Sequence, residues 1–136
     1  MINNHRVFIT GGAGFIGSAV ANRLLGSNSI TLFDNLHRGA FDNRMMKNHA
    51  QVRLVRGDIL NTDALASAIA GHDIIIHCAA IAGIDSVTKN PVSTMATNMT
   101  GSANVLRAAL DHTEAKAILC LSTSEVYGPQ ADHVDE

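Results

Sequence analysis

Three glycines near the start of the sequence have the spacing of a phosphate-binding turn. The stretch TGGAGFIG places Gly11, Gly14 and Gly17 at every third position, after a strand-like apolar run and before a helix-like segment from Phe15. In that context Gly11 allows a tight turn, Gly14 lets a pyrophosphate approach the main chain, and Gly17 lets the helix pack closely on the sheet. The first helical N–H groups then point at the phosphates. The stretch predicts a dinucleotide site, and a glycine-rich turn without a ligand is the alternative.

An acidic residue follows the glycines at the distance that such a site requires. Asp34 ends the second apolar run, about twenty residues beyond the glycines, where a carboxylate accepts hydrogen bonds from the ribose hydroxyls of adenosine. A carboxylate there also repels a 2′-phosphate, so it favours NAD over NADP. Arg38 lies close by and could pair with that phosphate, which keeps NADP open. Asp34 as a solvated turn residue is the remaining alternative.

Short apolar runs must position these residues. The runs cover residues 6–10, 29–34, 52–55, 73–77 and 116–121, and they alternate with helix-like segments at 15–25, 62–70 and 91–111. Their length and β-branched content suit buried parallel strands. Strand alternating with helix predicts a Rossmann-type α/β fold, a doubly wound parallel sheet in the order 3-2-1-4-5 with helices on both faces. Residues 35–49 are predicted to be loop, with a loop that contains a short helix as the alternative.

Three details of the helices also follow from the pattern. The first helix should bury a stripe of Ile16, Val20, Leu24 and Leu25. Thr62 should cap the second helix, and Asn90 should cap the long third helix, in which Pro91 takes the first turn.

Length, composition and charge limit the class of protein. The 136 residues suit a single domain over 1–136, and a formal net charge of −2 gives no electrostatic case for binding nucleic acid or a membrane surface. Neither a signal peptide nor an apolar segment long enough to span a membrane is recognisable. Cys78 and Cys120 both lie in apolar runs and are expected to be buried, reduced thiols of a cytoplasmic protein. The histidines show no metal-ligand spacing, so no metal is expected.

Six motifs in order carry a family resemblance that spans essentially the whole sequence. They are TGGAGFIG, DNLHRG at 34–39, GDI at 57–59, HCAA at 77–80, Asn98 and STSEVYG at 122–128. Together they resemble the extended short-chain dehydrogenase/reductase family, specifically the NAD-dependent nucleotide-sugar epimerases, dehydratases and decarboxylases. Each motif alone is modest, whereas the ordered set is specific.

The resemblance implies an NAD site built from many parts of the chain. It assigns the pyrophosphate, beside the glycines, to the main chain of Phe15 and Ile16, and it assigns the adenine to Asp58 and Ile59. It places Asp34, Asn35, Arg38 and Gly39 at the adenosine ribose, and Ala79, Ala80, Ile81, Ala82 and Ser122 along the cofactor. Asn98 would brace the active-site strands. For Asp58 a turn aspartate remains the alternative, and for Asn98 a helix-surface amide.

The motif after the last strand implies the chemistry. By resemblance Thr123 hydrogen-bonds the 4-oxygen of the sugar, Glu125 is the candidate base, and Ser124 lies beside it as a catalytic candidate. The family's dehydratases usually carry Asp where Ser124 stands, and serine is a poor acid for that step. The resemblance therefore implies an epimerase or a decarboxylase of a nucleotide-diphosphate sugar that acts by transient oxidation at sugar C4.

The sequence departs from the family in one respect that matters for catalysis. The family's Tyr-x-x-x-Lys pair is not recognisable, because the only tyrosine is Tyr127 and Ala131 stands four residues later. We expect this chain to be the cofactor-binding half of an enzyme, without the substrate-binding part, inactive by itself, and a homodimer when intact. A non-catalytic NAD sensor or scaffold of the same fold is the alternative.

Overall fold

The computed structural model describes residues 2–38 and 49–123 together with Val126 and Gly128. The elements are β1 (Arg6–Thr10), α1 (Phe15–Leu24), β2 (Ser29–Asp34), β3 (Val52–Arg56), α2 (Thr62–Ile69), β4 (Ile74–His77), α3 (Ile84–Lys89), α4 (Pro91–Met95), a π-helical turn (Ala96–Gly101), α5 (Ser102–His112) and β5 (Ala117–Cys120). Every predicted strand is present, and no strand end is displaced by more than one residue from its predicted position.

The strands form one parallel sheet in the order β3-β2-β1-β4-β5, which confirms the predicted topology. β1 is central, and its Ile9 lies opposite Leu32 of β2 and Ile76 of β4. Because both faces of the central strands are covered, they read as continuous apolar runs rather than as alternating ones. The strand order reverses beside β1, so the crevice at its carboxyl end is the switch point where such sheets bind ligands.

Helices cover both faces of the sheet, as predicted. On one face, α1 packs on a cluster that includes Val7, Ile9, Ile30, Leu32, Ile74 and Ile76. On the other face, α2 and α5 enclose Phe8, Phe33, Ile59, Leu65, Ile69, Ile75, Val105, Ala108 and Ala109.

The buried face of α1 differs from the predicted stripe. Ile16 is half exposed, whereas Gly17 and Ala21 are buried. Small residues at these two positions let the helix approach the sheet closely, so the contact face is centred on them. Val20 and Leu24 are only partly buried at its border.

The caps of two helices and the continuity of the long third helix differ from the prediction. Asn61, not Thr62, caps α2, because its Oδ1 accepts a hydrogen bond of 3.0 Å from the N–H of Ala64. Asn90 makes no side-chain cap on α4. The predicted single helix is divided by the π-helical turn, and α3 was not predicted at all.

β5 differs from the buried strand that was predicted, because all of its residues are exposed. It forms the edge of the described sheet and pairs only with β4. Cys120 is therefore exposed and Cys78 is only partly buried, which differs from the burial expected of both. Both are free thiols. Within the described ranges, no helix has both the length and the apolar character that crossing a bilayer requires.

Asp73 joins the amino-terminal ends of three neighbouring strands. Its Oδ2 accepts a hydrogen bond of 2.8 Å from the N–H of Arg6, and its main chain bonds Arg6 O and Lys116 N. The Arg6 guanidinium and the His5 ring approach the same carboxylate at 3.7 and 3.8 Å. The hydrogen bond from the Arg6 backbone is the main cause that lowers the pKa of Asp73.

We expect Asp73→Asn to melt at a lower temperature than the native chain at pH 7. The amide keeps the shape and one acceptor but loses the charge. The pKa of the carboxyl group is lower in the folded protein than in the unfolded chain. Its contribution to the free energy of unfolding is therefore complete above the unfolded-state pKa, and it is lost as the pH falls through the folded-state pKa. The difference between the two proteins should therefore shrink below about pH 4. Circular dichroism melts from pH 7 to 3, with exposed Asp111→Asn as control, measure it, and a pH-independent difference would contradict it.

Candidate functional site

The glycine turn lies between the ends of β2 and β4, the two strands that flank β1. Gly11 has φ +63°, and a Cβ built on it would lie 2.7 Å from the main-chain nitrogen of Ala79. Its N–H donates to Phe33 O at 2.9 Å. The turn therefore needs glycine at this position both for its backbone conformation and for its closeness to the segment after β4.

The first turn of α1 is built without a side chain that could satisfy its N–H groups. Gly14 stands at the N-cap, no side-chain cap bond is made, and no acidic residue occurs in the first turn. Gly17 is packed against the main chain of Gly11 and Gly12. Phe15 is 92% exposed, so the surface around this helix end is open. A helix end of this kind favours an anion.

Asp34 lies beside that helix end and is held by one bond from the glycine turn and one from the loop after β2. Its Oδ2 accepts a hydrogen bond of 3.0 Å from the N–H of Ala13, and its Oδ1 accepts one of 2.8 Å from the N–H of Leu36. These bonds fix the carboxylate and leave each oxygen a further lone pair for a ligand hydroxyl. The structure thus brings the predicted ribose residue and the predicted phosphate turn together.

The ends of β2 and β3 are joined by a second polar contact. Asn35 Nδ2 donates to Asp58 Oδ2 at 3.1 Å, and Asp58 Oδ1 accepts from Leu60 N at 2.9 Å. Ile59 differs from its predicted neighbours because its side chain is buried in the core and touches the position of Gly101. The side chain of Ile59 is therefore not accessible to a ligand.

Arg38 extends from the β2 end of the site to the β4 end. Its guanidinium donates to Ala82 O at 2.8 Å, which joins two segments that the resemblance assigned to the same cofactor. Gly39, predicted at the ribose, lies outside the described residues.

Asn98 holds the segment after β4 by two bonds. Its Oδ1 accepts from Ile81 N at 2.8 Å, and its Nδ2 donates to Ile81 O at 2.9 Å. The neighbouring Ala79 is partly buried and Ala80 is exposed. A bracing role for Asn98 thus has a definite geometry.

Two titratable groups next to this segment are kept uncharged by burial. Burial lowers the pKa of His77, and it raises the pKa of the Cys78 thiol to about 11. At neutral pH neither group carries a charge into the site, and the Cys78 thiol is unsuited to act as a nucleophile.

Polar contacts of His77 were missed by sequence reasoning. Its ring contacts Thr10 and Ser102, on β1 and α5. The contact between His77 and Thr10 could have been predicted from the sequence, because both are polar residues that end apolar runs. In the sheet the two residues are paired in register. Ser102 gave no such signal.

The residues with predicted chemical roles lie after β5. Ser122 and Thr123 are exposed at its carboxyl end, and Thr123 O accepts from Val126 N at 3.3 Å. Leu121 N donates to His77 O at 3.2 Å, so this segment adjoins the end of β4. Ser124 and Glu125, the other catalytic candidates, lie outside the described residues.

The arrangement as a whole fits a dinucleotide. An uncapped helix end, a glycine turn that a Cβ would fill and a fixed carboxylate occur together at the switch point of the sheet. Phosphate binding at the helix end and hydroxyl binding at the carboxylate are the two contacts that a dinucleotide requires there.

Comparison with known proteins identifies the family. The model of the NAD dependent epimerase/dehydratase family matches residues 7–136, and the chain belongs to that family. It is 34% identical over 128 residues to the UDP-N-acetyl-alpha-D-glucosaminuronate decarboxylase of Bacillus cytotoxicus, covering 90% of this chain and 38% of the relative. It is 31% identical over 133 residues to the UDP-glucose 4-epimerase of Rickettsia typhi, covering 93% and 39% respectively. The chain thus spans about two fifths of the length of these relatives.

Solved structures agree with this assignment. The UDP-N-acetylglucosamine 4-epimerase of Methanobrevibacter ruminantium, in complex with UDP-N-acetylmuramic acid, superposes with a TM-score of 0.88 at 28% identity, covering 98% of this chain and 43% of that one. A UDP-glucose-4-epimerase from Stenotrophomonas maltophila with bound NAD and formylated UDP-arabinopyranose superposes with a TM-score of 0.80 at 26% identity, covering 95% and 40%.

Proposed function

We propose that this chain is a dinucleotide-binding domain over residues 1–136 that binds NAD. The observation that carries the proposal is the uncapped end of α1 beside a carboxylate that the same turn fixes, through Ala13 N and Asp34 Oδ2 at 3.0 Å. Membership of an NAD-dependent family and the NAD bound in a similar structure support the choice of ligand.

The positions of the Asp34 carboxylate and the Arg38 guanidinium favour NAD over NADP. Asp34 is fixed at the end of β2, where its charge would repel a 2′-phosphate. The Arg38 guanidinium, which could counter that repulsion, instead donates to Ala82 O across the site. The carboxylate is therefore the charge that decides the preference.

We further propose that the intact protein is a nucleotide-sugar epimerase or decarboxylase that oxidises C4 of its sugar transiently. Similar proteins are named as both kinds of enzyme. Bound NAD would supply the hydride acceptor, and Thr123 would hydrogen-bond the 4-oxygen at the carboxyl end of β5. A substrate-binding part that carries the Tyr-x-x-x-Lys pair would lie in additional length of the kind that the relatives have.

The alternative of a non-catalytic NAD sensor is not favoured. Its support would have to come from similar proteins without an enzymatic activity, whereas relatives and neighbours here are named as epimerases, decarboxylases and dehydratases. Epimerisation at C4 leaves C5 untouched, whereas a 4-keto uronate that loses carbon dioxide becomes an enolate that must gain a proton at C5. Glu125 is the residue proposed to handle a proton at C5.

In a polypeptide that continues this chain to the length of its relatives, Thr123→Val should lower turnover by roughly ten- to a thousandfold, the effect of losing one positioned hydrogen-bonding group. NAD affinity should be unchanged, because Thr123 lies at the end of β5, away from the glycine turn on β1. Steady-state rates on a panel of UDP- and dTDP-sugars measure it. Thr123→Ser should retain most activity, and full activity of the valine variant on every converted sugar would refute the assignment.

A homodimer is proposed for the intact protein on the basis of one exposed surface. Val92, Met95, Met99, Leu106 and Leu110 lie along α4, the π-helical turn and α5, and between 42% and 82% of each is exposed. Exposed apolar residues that recur along one helical run are more typical of an interface than of a solvated helix. A cytoplasmic location likewise stays a prediction, consistent with two free cysteines.

A further inference from the structure

A continuous line of hydrogen bonds runs beneath the segment that follows β4. Thr10 Oγ1 lies 2.6 Å from His77 Nδ1, and His77 Nε2 lies 2.8 Å from Ser102 Oγ. Ser102 Oγ donates to Asn98 O at 2.7 Å. Thr10 is fully buried and His77 is 6% exposed, so water cannot readily replace these partners.

The direction of every bond in this line can be assigned. Ser102 gives its only hydroxyl proton to Asn98 O, so it must accept from His77, and Nε2 carries the ring proton. Nδ1 is then an acceptor, and the hydroxyl of Thr10 donates to it. Thr10 Oγ1 accepts in turn from Ala79 N at 3.3 Å. One neutral tautomer of His77 satisfies all of these groups together.

Both ends of the line hold the same short segment. At one end Thr10 receives the N–H of Ala79. At the other, the residue that accepts from Ser102 is Asn98, whose side-chain amide makes two bonds to Ile81. Asn98 and Ser102 meet these partners from the π-helical turn and the residue directly after it. Segment 79–82 is therefore tied to β1, β4 and the long helical run at once.

We propose that Thr10, His77 and Ser102 are positioning residues that hold segment 79–82 in place to receive the nicotinamide half of the cofactor. This rests on the proposed function, because it assumes that NAD lies along the segment. None of the three needs to touch the cofactor. They fix the main chain of Ala79 and Ile81 before the cofactor binds. Binding then does not carry the entropic cost of ordering this segment.

A purely structural role predicts a different result from a positioning role. If the line only stabilised the core, its loss would lower the melting temperature and weaken all ligands of the site to the same degree. If the line positions the segment, its loss should lower the affinity for NAD and leave the affinity for ADP unchanged. ADP is proposed to bind at the opposite end of the site, to the glycine turn, Asp34 and Asp58.

The test is Ser102→Ala, which leaves the His77 Nε2–H without its acceptor. Calorimetric titration should show a dissociation constant for NAD raised about tenfold, the cost of one unsatisfied buried donor. The constant for ADP should change by less than about twofold, within the ordinary variation of a mutation away from the ligand. Ser102→Thr should restore NAD binding, since the hydroxyl returns.

Thr94→Val is the matched control. Thr94 is buried in the same helical run, and its hydroxyl bonds the carbonyl four residues earlier, as that of Ser102 does, but its partner is Asn90. It should leave both constants unchanged. If Ser102→Ala does not fold, Thr10→Val breaks the line at its other end with the same expected split. Equal losses for NAD and ADP, or no loss, would overturn the inference. A native chain that binds ADP but not NAD would instead overturn the proposed function.

Discussion

Gly11→Ala should weaken NAD binding by more than about a hundredfold, because backbone strain and a steric clash, each costing about 1–3 kcal/mol, coincide in the turn that is proposed to bind the phosphates. The backbone at Gly11 has φ +63°, which an L side chain rarely adopts. A Cβ would also lie 2.7 Å from Ala79 N and 2.8 Å from Ala79 Cα, both backbone atoms that cannot rotate away. The turn or segment 79–82 must therefore shift. A shifted turn spoils the surface on which the pyrophosphate is proposed to lie, and a shifted segment spoils the surface proposed for the nicotinamide half.

Gly26→Ala separates the two costs. Gly26 follows α1 with φ +93°, but a Cβ there would meet nothing within 4 Å. This control should lose about 1 kcal/mol of stability from backbone strain and keep native NAD affinity. Calorimetry and thermal melts on both variants measure the comparison. A Gly11→Ala protein that binds NAD within threefold of native would show that the turn is not the phosphate site.

The strands and their order were predictable because the signal is local and repeated. Runs such as residues 74–76, which precede the polar His77, are apolar throughout, as strands covered on both faces must be. The order then follows from the handedness of the crossovers. The exposure of β5 could not be read in the same way, since its apolar run resembles the buried ones and its exposure depends on what lies beside it in space.

The long helical run shows the limit of periodicity. The sequence from Pro91 onward is compatible with one continuous helix, and propensity does not distinguish it from a helix interrupted by a π-helical turn. What favours the turn is tertiary: Gly101 packs against the side chain of Ile59, while Asn98 reaches Ile81. These partners come from loops after β3 and β4, far away in sequence.

The parts of the site were predictable, but their connections were not. Spacing and resemblance pointed to Asp34 and to the glycine turn separately, and the bond from Ala13 N to Asp34 required the fold. The sequence allowed Arg38 as a partner for a 2′-phosphate, whereas in the fold its guanidinium donates to Ala82 O. Side-chain direction depends on the neighbouring segment, which the local sequence does not encode.

The preference between the two dinucleotides should depend on a single charge at Asp34. Asp34→Asn keeps the side-chain volume but removes the repulsion of a 2′-phosphate, and it also leaves either Ala13 N or Leu36 N without a carboxylate oxygen. We expect NAD to bind about tenfold more weakly and NADP to bind more tightly, so that the ratio of the two affinities falls by about a hundredfold.

Arg38 provides an internal check on that mechanism. Once the Asp34 carboxylate is neutral, the Arg38 guanidinium can leave Ala82 O for the phosphate. Asp34→Asn combined with Arg38→Met should therefore lose the gain in NADP affinity relative to NAD, because loss of the contact with Ala82 O affects both dinucleotides alike. Asp63→Asn, in the exposed first turn of α2, controls for net charge and should change neither constant. Calorimetric titration of all four proteins with NAD and NADP measures these values. A native chain that prefers NADP, or an unchanged ratio of NAD to NADP affinity in Asp34→Asn, would show that this carboxylate does not discriminate at the ribose. Other residues of the site would then have to determine the choice of cofactor.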